Sequence, residues 1–184
     1  MHYTDLPDFI HELVVLRPLS RSDAAAWYTY LTMPHVLDHT SWDLRSVDEL
    51  MQKFDALESP DPASEMRLAI VLRDSGELVG TIGFHSVSPL HKTVEIAYDL
   101  APAVWGKGIA STACSVVAEW GFSRLGAVRI QATVLDSNTR SARVLEKCGF
   151  QCEGLLRSFR MVRGRPRDFW IYSRLNPHSA VAET

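Results

Sequence analysis

The residue types best suited to chemistry in this chain stand together at Trp105-Gly106-Lys107-Gly108-Ile109-Ala110-Ser111. Two glycines one residue apart let a backbone turn tightly with no Cβ in the way. A strand-like segment, Thr93 to Leu100, precedes them, and a helix-like one running to about Leu125 follows. Amides that open such a helix lack intrahelical partners and sit at the positive end of its dipole, so they favour a phosphate or diphosphate. A glycine-rich turn that only joins strand to helix is the competing reading. The dinucleotide fingerprint would need Gly or Ala where Ser111 stands, and no Gly-x4-Gly-Lys-Ser/Thr occurs.

The last part of the chain holds a second chemical bias. Arg157, Arg160, Arg163, Arg165, Arg167 and Arg174 crowd it against only Asp168. A solvated basic face and a site for an anionic ligand or acidic partner both fit. Seven histidines show no His-x3-His pattern and three cysteines, Cys114, Cys148 and Cys152, show no metal spacing, so no metal is expected. Cys148 and Cys152 read as packing residues, as free cysteines usually are.

The elements that must position these groups follow from periodicity. Leu13 to Arg17 reads as a strand, a helix spans about Ser22 to Leu31, and Ser46-Val47-Asp48-Glu49 is a capping box. The helix it opens carries Leu50, Met51, Phe54 and Leu57 on one face, and residues 59–64 form a loop with two prolines. Arg67 to Leu72 and Leu78 to His85 make a hairpin around Asp74-Ser75-Gly76. Beyond the strand at Thr93 to Leu100, Ile109, Ala113, Val116, Val117 and Trp120 recur at helical spacing. Val128, Ile130, Ala132 and Val134 alternate as a strand, and a helix begins at Asn138 and stops at Cys148-Gly149. Final strands at Phe150 to Leu156 and Phe169 to Leu175 are separated by a turn at Gly164-Arg165-Pro166.

Composition bounds the rest. At 184 residues, 46% hydrophobic and 22% charged, the chain suits one globular domain, residues 1–184, with a core of about 13–175 and a frayed tail at 177–184. No apolar run could span a bilayer and no secretory signal opens the sequence. Odd, unpatterned cysteines suit a reduced, cytoplasmic protein. A net charge of -3 argues against general nucleic-acid binding.

The order β-α-α-β-β-β-α-β-α-β-β, with the glycine loop after the fourth strand, resembles the GCN5-related N-acetyltransferases (GNAT). A second motif at Asn138 to Phe150 strengthens the likeness. The RimJ/RimL-type branch is the most similar, through Glu95-Ile96-Ala97-Tyr98, Trp105, Asp168 and Tyr172-Ser173-Arg174-Leu175. The resemblance covers about Leu13 to Leu175. It implies a mixed α+β fold: a central, mostly antiparallel sheet of six to seven strands, splayed between strands 4 and 5 and flanked by helices.

That likeness also implies a reaction. Acetyl would pass from acetyl-CoA to a primary amine, a protein N-terminus or a small molecule, by direct attack in a ternary complex. A non-catalytic acyl-CoA sensor on the same fold is the alternative, and a homodimer is an assembly the family allows. The amides of Gly106, Lys107, Gly108, Ile109, Ala110 and Ser111, after Trp105, would hold the diphosphate. The backbone of Tyr98, Asp99 and Leu100 would pair with the pantetheine arm, and an N–H there would face the oxyanion. Asn138 is a helix cap or a pantetheine ligand, and Arg143 meets a phosphate or solvent.

Two proton transfers remain. An α-amine near pKa ~7.7–8.0 needs little help to lose its proton, whereas a lysine at about 10.4 needs much more. Glu95 is the leading base, with structural hydrogen bonding as its alternative, and Asp99 and Glu153 are further options. Ser141 would donate to the departing sulfur, or cap its helix. A thiol near pKa ~8.5 leaves readily. This matters because Leu145 stands where many relatives carry a tyrosine that protonates it. Arg160 stands where RimL has a glutamate. Tyr28, Trp42 and Met33 lie in the region that covers the acceptor cleft in relatives.

Overall fold

Alternating apolar residues build the centre of a seven-stranded sheet. The computed structural model describes residues 6–59, 61 and 63–179. Its strands are β1 (Val14–Pro18), β2 (Met66–Leu72), β3 (Leu78–Ser88), β4 (Thr93–Leu100), β5 (Arg129–Leu135), β6 (Gln151–Val162) and β7 (Arg165–Leu175). They lie in the order β1-β2-β3-β4-β5-β7-β6, and only β4 and β5 run parallel. The β4–β5 pairing covers just Thr93–Glu95 against Arg129–Gln131. Past Glu95 the two strands part, which is the expected splay.

Helices cover both faces. On one, α4 (Ile109–Arg124) buries Ile109, Ala113, Cys114, Val117, Ala118, Trp120 and Phe122 in a core with Leu68, Ile82, Phe84 and Ile96. α5 (Thr139–Lys147) joins this core through Leu145, with Cys148 just beyond it. On the other face, α1 (Ala24–Leu31) and α3 (Val47–Leu57) pack Trp27, Leu31, Leu50 and Phe54 against Ala69, Val71 and Leu78. The helix α2 (Pro34–Leu37) is a single turn opened by proline, too short to leave a period in the sequence.

Local signals placed most boundaries. Ser46 Oγ accepts from Glu49 N (3.3 Å), but Glu49 Oε2 reaches back to Arg45 N (2.9 Å) rather than to the cap residue itself. Gly149 takes φ +81° and the Phe150 amide returns to Leu145 O (3.0 Å), which ends α5. The C-terminal hairpin differs from expectation. β6 runs on to Val162, and the turn is Arg163-Gly164, both at positive φ (48° and 76°). A bulge between Leu156 and Arg160, with Ser158 at φ 50°, breaks the two-residue period there and hides the strand. Pro166 sits inside β7 where β6 alone pairs with it, so its missing N–H costs no ladder bond on the other side.

Pro177 to Ser179 form a turn on Asn176 rather than a frayed end, with Ser179 N on Asn176 O (3.2 Å). The expected tail at 180–184 lies outside the described residues. Cys114 and Cys148 are buried, but Cys152 is exposed and is not a packing residue. Among the described residues no helix is long and apolar enough to cross a membrane.

Candidate active site

The loop between β4 and α4 builds its geometry from two left-handed glycines, Gly106 at φ +77° and Gly108 at φ +78°. A Cβ on either would meet nothing within 4 Å, so both backbones border open space. The first helical hydrogen bond of α4 is Thr112 N to Gly108 O (3.0 Å). Among the described residues, the amides of Gly106 to Ser111 have no protein acceptor. Trp105 fixes the loop by its side chain. Its Nε1 donates to Leu100 O (2.8 Å), and the Arg140 guanidinium lies 4.9 Å from the ring centroid.

These amides border a cleft of about 700 Å³ that also takes in Tyr98, Leu100, Asn138, Ser141 and Val144. Lys107, Arg140, Arg143 and Lys147 line it too, so four cations share the cleft with the unpartnered amides. Arg140 and Lys147 escape sequence reasoning, since on a short helix they look like an ordinary solvated face.

Main-chain alternation decides which part of β4 faces the gap. Ala101 N donates to Val79 O (2.8 Å), so the groups of Asp99 and Ala97 also turn to β3. Those of Tyr98 and Leu100 turn to the opening. The Asp99 main chain therefore does not face the gap as expected. Its carboxylate accepts from Trp27 Nε1 (3.2 Å), Arg67 (2.9 Å), Thr81 Oγ1 (2.9 Å) and Tyr30 Oη. That leaves Asp99 as the anchor of α1 on the sheet rather than a base.

At the mouth of α5, Asn138 Oδ1 caps the Ser141 amide (3.0 Å) and its Nδ2 donates to His39 O (2.9 Å). Ser141 Oγ is thereby free of capping duty and lies 2.9 Å from Tyr98 Oη, which also reaches Ser141 O (3.1 Å). Burial pushes the Tyr98 phenol well above its ordinary titration range.

A smaller cavity of about 130 Å³ adjoins the cleft, sharing His39, Thr40, Tyr98, Asp99, Asn138 and Ser141 with it. Glu95, the last β4 position paired with β5, stands beside it. Glu95 Oε1 accepts from Thr133 Oγ1 (2.6 Å) and lies 3.3 Å from Arg160 and 3.4 Å from His85 Nε2. Its Oε2 has one long contact, Gln131 Nε2 at 3.4 Å. His85 sits at a β3 bulge between the pairs Phe84–Ile96 and Ser86–Glu95, which turns it toward Glu95. Burial is the main cause that lowers the His85 pKa, with Arg160 and Arg67 adding to it and Glu95 opposing.

Other expected residues fall elsewhere. Glu153 is tied to Arg129 (2.5 Å) and Ser173 (2.6 Å), which hold its pKa at about 2, and it lines neither cavity. Of the arginine cluster, Arg160 alone lines a cavity. Arg163 holds the carbonyls of Thr40 (3.3 Å) and Trp42 (3.0 Å), Arg167 pairs with Asp136 and Arg174 with Glu119. Trp42 lines the smaller cavity, whereas Tyr28 and Met33 line neither. His39, Thr40 and His85 were missed: their partners are distant in sequence, and no local pattern marks them.

This fold has counterparts among known proteins. The model of the acetyltransferase (GNAT) domain matches residues 14–151. An uncharacterized N-acetyltransferase of Bacillus subtilis, YoaA, is 36% identical over 89% of this chain and 94% of its own. The ribosomal-protein-S5-alanine acetyltransferase of Vibrio fischeri superposes with a TM-score of 0.81 at 22% identity, over 95% of this chain and 98% of that one. Spermidine N-acetyltransferase of Vibrio cholerae, solved with CoA and spermine, gives 0.77 at 23% identity, over 88% and 95%. The chain belongs to the GNAT acetyltransferase family, a family of acyltransferases.

Proposed function

We propose that this protein transfers the acetyl group of acetyl-CoA to a primary amine by direct attack in a ternary complex, as a RimJ/RimL-like enzyme. The observation that carries the reading is the run of unpartnered amides from Gly106 to Ser111 at the positive end of α4, with Lys107, Arg140, Arg143 and Lys147 in the same cleft. That surface suits a diphosphate. The pantetheine arm would then pair with the main chain of Tyr98 and Leu100 along the β4 edge that β5 leaves open.

The amine nitrogen attacks the thioester carbon, the new N–C bond forms and the C–S bond breaks. An N–H of β4 facing the gap stabilises the oxyanion, a contribution of about 3 kcal/mol in other enzymes. Glu95 takes the amine's proton, through Oε2 or a water, because Oε1 is already crowded by Thr133, His85 and Arg160. Ser141 Oγ donates to the departing sulfur while Tyr98 Oη holds it in place. Leu145 is fully buried and supplies no proton.

Thiol release with acetyl-CoA and a panel of amines tests the reading. Coenzyme A binding with no release above background for any amine would favour a sensor instead.

A further inference from the structure

Asp99, Arg67 and Arg160 line the smaller cavity with Glu95 beside it, and Asp99 and Arg67 are used up inside the protein. Asp99, 8% exposed, is covered by Trp27, Tyr30, Arg67 and Thr81. Arg67 is committed to Asp99 and Thr81, and its side chain is only 8% exposed. Glu95 is 7% exposed beneath Thr133, Gln131, His85 and Arg160.

Arg160 differs. Its side chain is 34% exposed and one nitrogen alone lies near Glu95, at 3.3 Å. Its guanidinium rests on the rings of Phe159 (5.0 Å) and Phe169 (5.4 Å). A guanidinium has five N–H donors in a fork that matches a carboxylate. An incoming acceptor therefore meets the cation of this ion pair, not the anion.

Three further polar atoms complete the lining. His39 Nδ1, Thr40 Oγ1 and His85 Nδ1 are buried with no protein partner among the described residues, and all three residues line this same cavity. Buried polar atoms of this kind cost free energy until something supplies their hydrogen bonds. Among the described residues, Asp99 is the one carboxylate that lines either cavity, and it is spent.

We infer that the acceptor is a compact amine bearing a carboxylate within a few bonds of its nitrogen, the anion held by Arg160 and the amine end by His39, Thr40 and His85. The inference rests on the acetyl-transfer reading. It disfavours a polyamine, which would need exposed acids where this cavity has none free. An amino acid and the N-terminus of a peptide with an acidic first residue share the required chemistry.

Thiol release with matched acceptors tests it: glycine against glycinamide, glutamate against glutamine, an Asp-initiated tripeptide amide against its Asn counterpart, and spermidine. The carboxylate member of at least one pair should exceed its amide partner by about 10–100-fold in kcat/KM, and the pair that responds tells amino acid from peptide. Arg160→Gln should bring that ratio to about 1, and Arg160→Lys should restore part of it. Calorimetric titration with coenzyme A reports that the variants fold. The inference is overturned if spermidine or the amides are acetylated as well as the carboxylates. An intact ratio in Arg160→Gln, or bound coenzyme A with no carboxylate acceptor acetylated, overturns it equally. Loss of coenzyme A binding by the wild-type protein would remove the transfer reading itself.

Discussion

Glu95 and Gln131 are the last residues to face each other across β4 and β5. One position further the parallel ladder ends, and the β4 main chain at Tyr98 and Leu100 opens onto the cleft. The same pair joins its side chains, with Gln131 Nε2 at 3.4 Å from Glu95 Oε2. The end of the ladder thus fixes the carboxylate beside the opening it creates.

Replacing Glu95 by Gln should lower kcat/KM by about 10²–10³-fold near pH 7, within the range for a lost general base. The deficit should shrink at alkaline pH, where the amine is already neutral. A pH–rate profile of kcat/KM checks this, and an equal deficit at every pH would assign Glu95 a structural role only.

Ser141→Ala removes the Oγ contact at the mouth of α5, and Tyr98→Phe removes the phenol's contacts to both Ser141 Oγ and Ser141 O. A neutral hydrogen bond contributes about 0.5–1.5 kcal/mol, so kcat should fall about 2–12-fold in either variant. Because the thiolate leaves well unaided, the loss should be confined to kcat, with coenzyme A affinity unchanged. A larger change in affinity than in kcat would move Ser141 out of the chemical step.

His85 is predicted to tie stability to mild acid. Its folded pKa is lowered, chiefly by burial, with Glu95, Arg160, Arg67 and Glu65 around it. The unfolded chain then binds the proton more readily, so the stability of the neutral ring is present above about pH 6.5 and lost as pH falls below it. Glu153, held at about 2, titrates far below this window. Thermal melts should show Tm falling between pH 7 and 5.5 in the wild type and falling less in His85→Gln. Equal falls would refute this.

The fold was legible where one residue pattern determines one element. The Thr93–Leu100 strand and the Gly149 stop appear as read, and of the capping box the Ser46 half appears while Glu49 turns to Arg45 N instead. What stayed hidden depends on contacts between distant parts. The bulge at Ser158 conceals half of β6, and it also aims Arg160 at Glu95, a pair 65 residues apart. The role of Asp99 could not be read because its partners Trp27, Tyr30, Arg67 and Thr81 lie on three other elements. In the cleft, the glycine loop was visible through its composition, whereas the cations of α5 acquire meaning only beside it.

Gly83 offers a check on the sheet itself. A Cβ there would lie 1.9 Å from Met66 O, a backbone atom of the neighbouring strand. Gly83→Ala must push β2 and β3 apart and should cost at least about 3 kcal/mol, the upper end for overpacking. Chemical denaturation measures it, and a loss below 1 kcal/mol would mean that the two strands separate freely.

Calorimetric titration of coenzyme A into the wild-type protein, Gly108→Ala and Gly108→Val tests the central claim most directly. Both variants carry the strain of a Cβ at φ +78°, about 1–2 kcal/mol, but only valine projects bulk into the open space over the amides. The expected result is saturable binding by the wild type, a moderate loss for alanine and a loss of about 100-fold or more for valine, with all three proteins folded by circular dichroism. Equal affinities for the wild type and Gly108→Val would contradict the assignment of this loop to the diphosphate.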